Sequence, residues 1–325
     1  MSLTPAQTVS YRPWLHRFAV LTAAAAFPLL VIGALVTSLR VGMADPQSIR
    51  TPWYALQVWA DFEEMIALRG VGYVIEHTHR QLGWIAGVLT IGLAVGLWRA
   101  DPRRWVRWLG VGALAAISVQ GVLGIFRVEL DALAGIELAM VHGFVGQLVM
   151  ALLAVVALVT SRGWLARPVV ETGAAGRFPR LAAITTGLLV VQLGLGVWLR
   201  QAGAGFEVHV LIALAVAAHA VMLAARAFAL GEGPAGLLRR PALLLGVLVL
   251  AQVALGLFAW LAGAGEGALD HRPITAARAF LTTAHVSVGA VLLVTSVLLT
   301  LRAYHHLAPA PAEAPAPVGA TEGMA

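Results

Sequence analysis

The sequence predicts an all-α integral membrane protein whose eight transmembrane helices form two pseudo-symmetric four-helix bundles. Three observations carry that expectation. Of 325 residues, 60% are hydrophobic and only 12% charged, whereas an ordinary soluble domain carries about a quarter charged residues. Eight apolar runs each supply the roughly 20 residues that a helix needs to cross a bilayer. A polar motif, glutamine followed four residues later by glycine, recurs in three of those runs.

The runs lie at about 18–39, 73–98, 108–126, 138–160, 181–199, 208–225, 241–262 and 281–301. All exceed the roughly 9–11 residues of a membrane β-strand, so they read as helices. The first is too long, and too closely followed by others, for a secretory signal, so it counts as a span. The Arg-rich, Pro-containing stretch 161–180 then divides the chain into an N-terminal half, 18–160, and a C-terminal half, 181–302. Residues 1–17 form a short leading segment, and 303–325, rich in Ala and Pro, read as a disordered tail.

Charge sets the expected orientation. All 22 basic residues are arginines, and fourteen lie before the first span, after spans 2, 4 and 6, or just after span 8. By the positive-inside rule both termini are cytoplasmic, with the chain in a bacterial cytoplasmic membrane. The net charge of +6 then belongs to loops held against anionic lipid, not to a nucleic-acid surface. The chain has no cysteine, which excludes disulfides, iron–sulfur clusters and thiolate chemistry.

The repeated motif is Gln120…Gly124 in span 3, Gln192…Gly196 in span 5 and Gln252…Gly256 in span 7; span 1 has Gly33 at a comparable depth but leucine in place of glutamine. Small residues alone can serve close helix packing. A glutamine at the same place three times asks for a further reason, and with the two halves it reads as an internal duplication.

Four histidines stand at matched depth. His79, His142, His209 and His285 precede Arg99, Arg162, Arg226 and Arg302 by 20, 20, 17 and 17 residues, which puts each about 25 to 30 Å from the arginine-rich face. Facing imidazoles inside an apolar four-helix bundle suit the axial positions of a haem iron. Zinc asks for three or four close ligands, which neither half offers. Proton relays usually place acids deep in the spans, and here the deep stretches hold almost none. His219, about 80° from the His209 direction, reads as an interhelical hydrogen-bonding residue, while His271, His305 and His306 read as solvated.

The stretch Val74–Gly87, VIEHTHRQLGWIAG, adds chemistry. Helical spacing puts Glu76, His79 and Arg80 on one face and turns His77 away. Glu76 and Arg80 then form either a simple i,i+4 ion pair or a site in which Glu76 handles protons beside a macrocycle and Arg80 meets a propionate. In the C-terminal half the nearest acid, Glu207, is two residues from His209 and off its face. This suggests that one half does chemistry and the other carries electrons.

The motif Glu76-x-x-His79-Arg80, with His142, His209 and His285 opening spans 4, 6 and 8, resembles the haem A synthase family. The resemblance covers nearly all of residues 15–303. It implies oxidation of the ring-D methyl group of haem O to a formyl group by successive hydroxylations with loss of water. It implies that His79 and His142 frame the substrate haem O, that Glu76 is the catalytic acid, and that His209 and His285 ligate a haem b that passes electrons inward. Implied partners are haem O synthase, the farnesyltransferase that makes the substrate, and a membrane electron donor; a homo-oligomer is compatible. The chain departs from the family pattern in having histidine at position 77, in lacking the first-loop cysteine pair, and in only loosely matching the Gly-rich turn at Arg40–Pro46. A dihaem b-type electron-transfer cytochrome and a haem carrier without catalysis are the alternatives.

Overall fold

The computed structural model describes residues 10–44, 62–172, 175–228, 230, 236–264 and 273–309. His271 and most of the first outer loop therefore lie outside the described residues. Eight of the described helices are long and apolar enough to cross a membrane, and the protein is an all-α multi-pass membrane protein. They are α1 (Pro13–Ser38), α3 (Val71–Ala100), α4 (Arg104–Glu129), α5 (Asp131–Val159), α7 (Arg177–Ala202), α8 (Phe206–Phe228), α9 (Gly236–Leu261) and α10 (Ala276–His306).

Most helices overrun the apolar stretches that announced them. α3 has 30 residues and α10 has 31, about 45 Å at 1.5 Å per residue, which matches a bilayer with its headgroups. Hydropathy marks only the hydrocarbon portion, whereas backbone hydrogen bonding continues the helix into the interface. Two short helices escape a hydropathy reading because they are too brief to span. α2 (Phe62–Arg69) lays Met65 and Ile66 against Tyr73 and Val74 of α3; the chain turns between them at Gly70, whose φ of 83° suits glycine. α6 (Arg162–Ala166) starts at Ser161, whose side chain caps the Trp164 N–H.

Consecutive spans pack side by side. Contacts of α1 with α3 and α5, of α3 with α4 and of α4 with α5 close on themselves within residues 13–159. Contacts of α7 with α8 and α10, and of α9 with α8 and α10, do the same within 177–306; α1 and α5 touch α10, and α5 touches α7. Two buried apolar clusters follow the same division. One is built on Leu15, Leu93, Leu97, Leu153 and Val156, the other on Phe178, Leu223, Leu238, Leu245 and Leu299. Both are densest toward the arginine-rich ends of the helices. In α4 the buried residues stop at Ala113, and in α8 they begin at Val216, whereas the histidine-bearing ends keep a smaller buried set that includes Val36, Tyr73, Val74 and Ala279.

The arginine-rich end corrects three expectations. The divider 161–180 is no simple loop: α6 is followed by β1 (Val170–Glu171), which pairs in parallel with β2 (Leu307–Ala308) just after α10. Residues 303–309 are accordingly structured, not part of a disordered tail. His306 is not solvated, and His305 is only half-exposed. His305 stacks on Trp164 with ring centroids 3.7 Å apart and its Nε2 donates to the Trp164 carbonyl, while His306, 2% exposed, donates from Nδ1 to the Pro168 carbonyl. Hydropathy cannot anticipate such contacts, because the partners lie about 140 residues away in sequence.

Asp101 fixes the turn from α3 to α4. It accepts hydrogen bonds from the Arg103 N–H, Nε and Nη2 at 2.9, 2.9 and 2.6 Å, and Arg103 Nη1 reaches the Val159 carbonyl at the end of α5. Both side chains are nearly buried. Asp101→Ala strands the guanidinium, at a cost of about 3 kcal/mol, and a lower unfolding midpoint in detergent titration is expected; an unchanged midpoint would show that the pair adds nothing.

Candidate functional site

Each sequential pair of spans brings a glycine and a histidine into contact. A Cβ built on Gly33 of α1 would lie 2.6 Å from Cε1 of His79 on α3; the corresponding distances are 3.2 Å for Gly124 and His142, 3.1 Å for Gly196 and His209, and 2.9 Å for Gly256 and His285. Any side chain at these four positions would push against the imidazole. Glycine here opens room for a ring edge, which is more specific than general close packing.

The histidines then meet in two pairs. His79 and His142 have ring centroids 6.4 Å apart with planes at 79°, and His209 and His285 are also 6.4 Å apart, with planes at 58°. The four predicted histidines are thus brought together as two facing pairs, one per half. The spacing is also the one that a shared metal requires. With metal–imidazole bonds of about 2.0–2.1 Å and ring nitrogens about 1.1 Å from their centroids, two ligands on opposite sides of one metal stand about 6.3 Å apart. Among the described residues, no group of three or more His, Asp or Glu side chains gathers as a metal cluster, so the histidines form pairs and not a three- or four-ligand site.

Supporting partners hold the rings. The His79 Nδ1 lies 3.1 Å from the Leu29 carbonyl, which can only accept, so Nδ1 carries the proton and Nε2 is left with its lone pair. The repeated glutamines contact the other three histidines with the opposite polarity, because an amide nitrogen donates to a ring nitrogen and cannot accept its N–H. Gln120 Nε2 donates to the His142 carbonyl at 2.9 Å and lies 3.1 Å from His142 Nδ1. Gln192 Nε2 donates to the His209 carbonyl at 3.0 Å and lies 3.2 Å from both ring nitrogens, and Gln252 Nε2 lies 3.2 Å from His285 Nε2. In span 1 the leucine at the glutamine position, Leu29, meets its histidine through its backbone carbonyl, which accepts.

The glutamines need further small residues. Gln120 Nε2 lies 2.9 Å from where a Cβ on Gly146 would be, and Gln252 Nε2 lies 3.0 Å from the same point on Gly289. Both glycines stand four residues after a histidine. The pattern His-x-x-x-Gly was legible at 79, 142 and 285, but sequence reasoning passed over it because glycine is common in these helices.

Around the first pair, Glu76 is 3% exposed and its Oε1 pairs with Arg80 Nη2 at 2.5 Å. The predicted helix face therefore forms, with the ion pair one turn from His79. His77 is buried and stacks on Tyr73, centroids 6.0 Å apart. Glu207 is exposed. His219 corrects an expectation: its Nδ1 donates to Ala215 of its own helix at 2.8 Å, not across helices.

Fold and site together define a multi-pass, all-α membrane protein carrying two facing histidine pairs. A scan against protein-family models finds no match, and a search of the curated proteins finds none either.

Gly256→Val is expected to displace His285 and, were the second pair to hold a haem, to abolish its uptake, read as the loss of one haem per chain by pyridine haemochromogen assay. Gly121→Ala, at a glycine with no atom within 4 Å of its Cβ position, is the control and should retain full uptake. Equal uptake by both variants would remove the role assigned to the close approach.

Proposed function

We propose that the protein is a haem-dependent membrane oxidoreductase that converts haem O to haem A, with the N-terminal histidine pair framing the substrate and the C-terminal pair holding a haem b. The observation that carries this reading is the pairing itself: two sets of imidazoles at 6.4 Å, one in each half. The closed ring of contacts within each set of four spans supports a two-bundle arrangement. The acidic group beside only one pair separates the two sites chemically.

His209 and His285 are the residues that would hold haem b, positioned by Gln192, Gln252, Gly196 and Gly256. When bound, that group supplies one-electron transfer. His79 and His142 orient haem O, with the proton on His79 Nδ1 directed to Leu29. Glu76, held on the His79 face by Arg80, is the catalytic acid, a buried carboxyl that would exchange protons beside the substrate methyl group while an external oxidant, which the protein does not supply, takes the electrons.

Glu76→Ala should retain haem in both halves and lower haem A output by at least about 100-fold, the usual worth of a positioned acid or base. His285→Ala should lose the haem of the C-terminal half and keep binding at the first pair. Both follow from acid–acetone extraction and mass identification of the haems after co-expression with a haem O synthase. Haem B alone from the wild-type protein, with haem O available, would favour the dihaem electron-transfer cytochrome, in which Glu76 is an ordinary helix ion pair.

A further inference from the structure

Two arginines stand about one helical turn beyond the glycines that receive the imidazoles, and among the described residues no carboxylate balances them. Arg127 follows Gly124 by three residues and Arg200 follows Gly196 by four, so each lies one helical turn, about 5 to 6 Å, beyond the glycine that receives an imidazole, and on nearly the same helix face.

Both guanidinium groups are anchored by neutral acceptors on one side only. Arg127 Nη1 donates to the Gly42 carbonyl at 3.0 Å, and a Cβ on Gly42 would run into the guanidinium. Arg200 Nη2 donates to the Ala34 carbonyl at 2.8 Å and to Ser38 Oγ at 2.7 Å, and Ser38 in turn accepts from Thr283 Oγ1. Among the described residues neither arginine pairs with an acid, in contrast to Arg80 and Arg103. Among the described residues, Nε and one terminal nitrogen of each make no hydrogen bond. Both side chains are half-buried, and a charge at this depth normally has a partner.

We propose that Arg127 and Arg200 are carboxylate-binding residues, one for each half, that receive the acidic side chains of the porphyrin held by the histidine pair beneath. This rests on the haem reading above and reassigns carboxylate recognition within it, because Arg80 is already engaged by Glu76. The planar guanidinium offers carboxylate the donor geometry that a single ammonium lacks. Anchoring by Gly42, Ala34 and Ser38 fixes each group before the ligand arrives. One arginine per half also accounts for two arginines on the side of the membrane that otherwise holds few.

The test compares haemin, which carries two free carboxylates, with its dimethyl ester, by Soret titration of the full chain purified from a haem-deficient host into phosphatidylcholine nanodiscs. Wild-type protein should bind haemin at least about tenfold tighter than the ester, the worth of one charge-assisted hydrogen bond. Arg127→Met with Arg200→Met should bring the two affinities together by weakening haemin alone. An unchanged ratio in the double variant overturns the proposal. If methionine prevents folding, Arg127→Lys and Arg200→Lys carry the test: a severalfold smaller preference supports it, and an unaltered one overturns it. Loss of bound phosphatidylglycerol from the methionine variants with no change in the ester ratio would assign the arginines to lipid phosphate and overturn the proposal too. Wild-type protein that gives no two-histidine spectrum with either compound would instead sink the underlying haem reading.

Discussion

The site depends on four places where a glycine lets an imidazole edge approach a neighbouring backbone. Gly33, Gly124, Gly196 and Gly256 each lie opposite the histidine of the next span. Nothing longer than hydrogen fits at these positions without displacing the ring. Because the contact joins consecutive spans, it fixes each helical hairpin in depth and rotation together. Two hairpins set in this way then present their histidines to each other, which is why both pairs settle at the same 6.4 Å. In a membrane, where burying apolar surface gives helices little reason to associate, such shape contacts carry the specificity of packing.

The polar partners refine what the glycines allow. Each of the three glutamines holds the histidine it faces through Nε2, using the ring and, at His142 and His209, the main-chain carbonyl as well, while its Oε1 is buried with no hydrogen-bond partner among the described residues. The first hairpin holds its histidine through the Leu29 carbonyl instead. That substitution makes the His79 environment unlike the other three. Together with the buried Glu76–Arg80 pair, it makes the two halves chemically unequal despite their common plan.

The opposite end of the molecule is organised by other means. There the helices are closed by dense aliphatic packing, by the Asp101–Arg103 pair reaching Val159, and by α6 and the β1–β2 pairing that tie the divider between the halves to the end of α10. A tight end and a looser histidine-bearing end follow from one sequence feature, the placement of small and polar residues in the outer parts of spans whose inner parts are aliphatic.

Much of this was written in the sequence. Eight apolar runs determined eight spans, because a bilayer's thickness translates directly into residue number. The matched depth of the four histidines and the shared face of Glu76, His79 and Arg80 followed from the constant rise and pitch of a helix. The repeat Gln-x-x-x-Gly was visible, but not its purpose, since one-dimensional spacing does not tell which neighbour a side chain meets. Only the tertiary structure decided that each glycine faces an imidazole, that Leu29 serves through its backbone, that His305 and His306 are held by the divider, and that among the described residues Arg127 and Arg200 pair with no acid. Those are contacts between segments far apart in the chain or on different helices, and they depend on how helices rotate against one another, which helical periodicity constrains within each span and packing alone settles between spans.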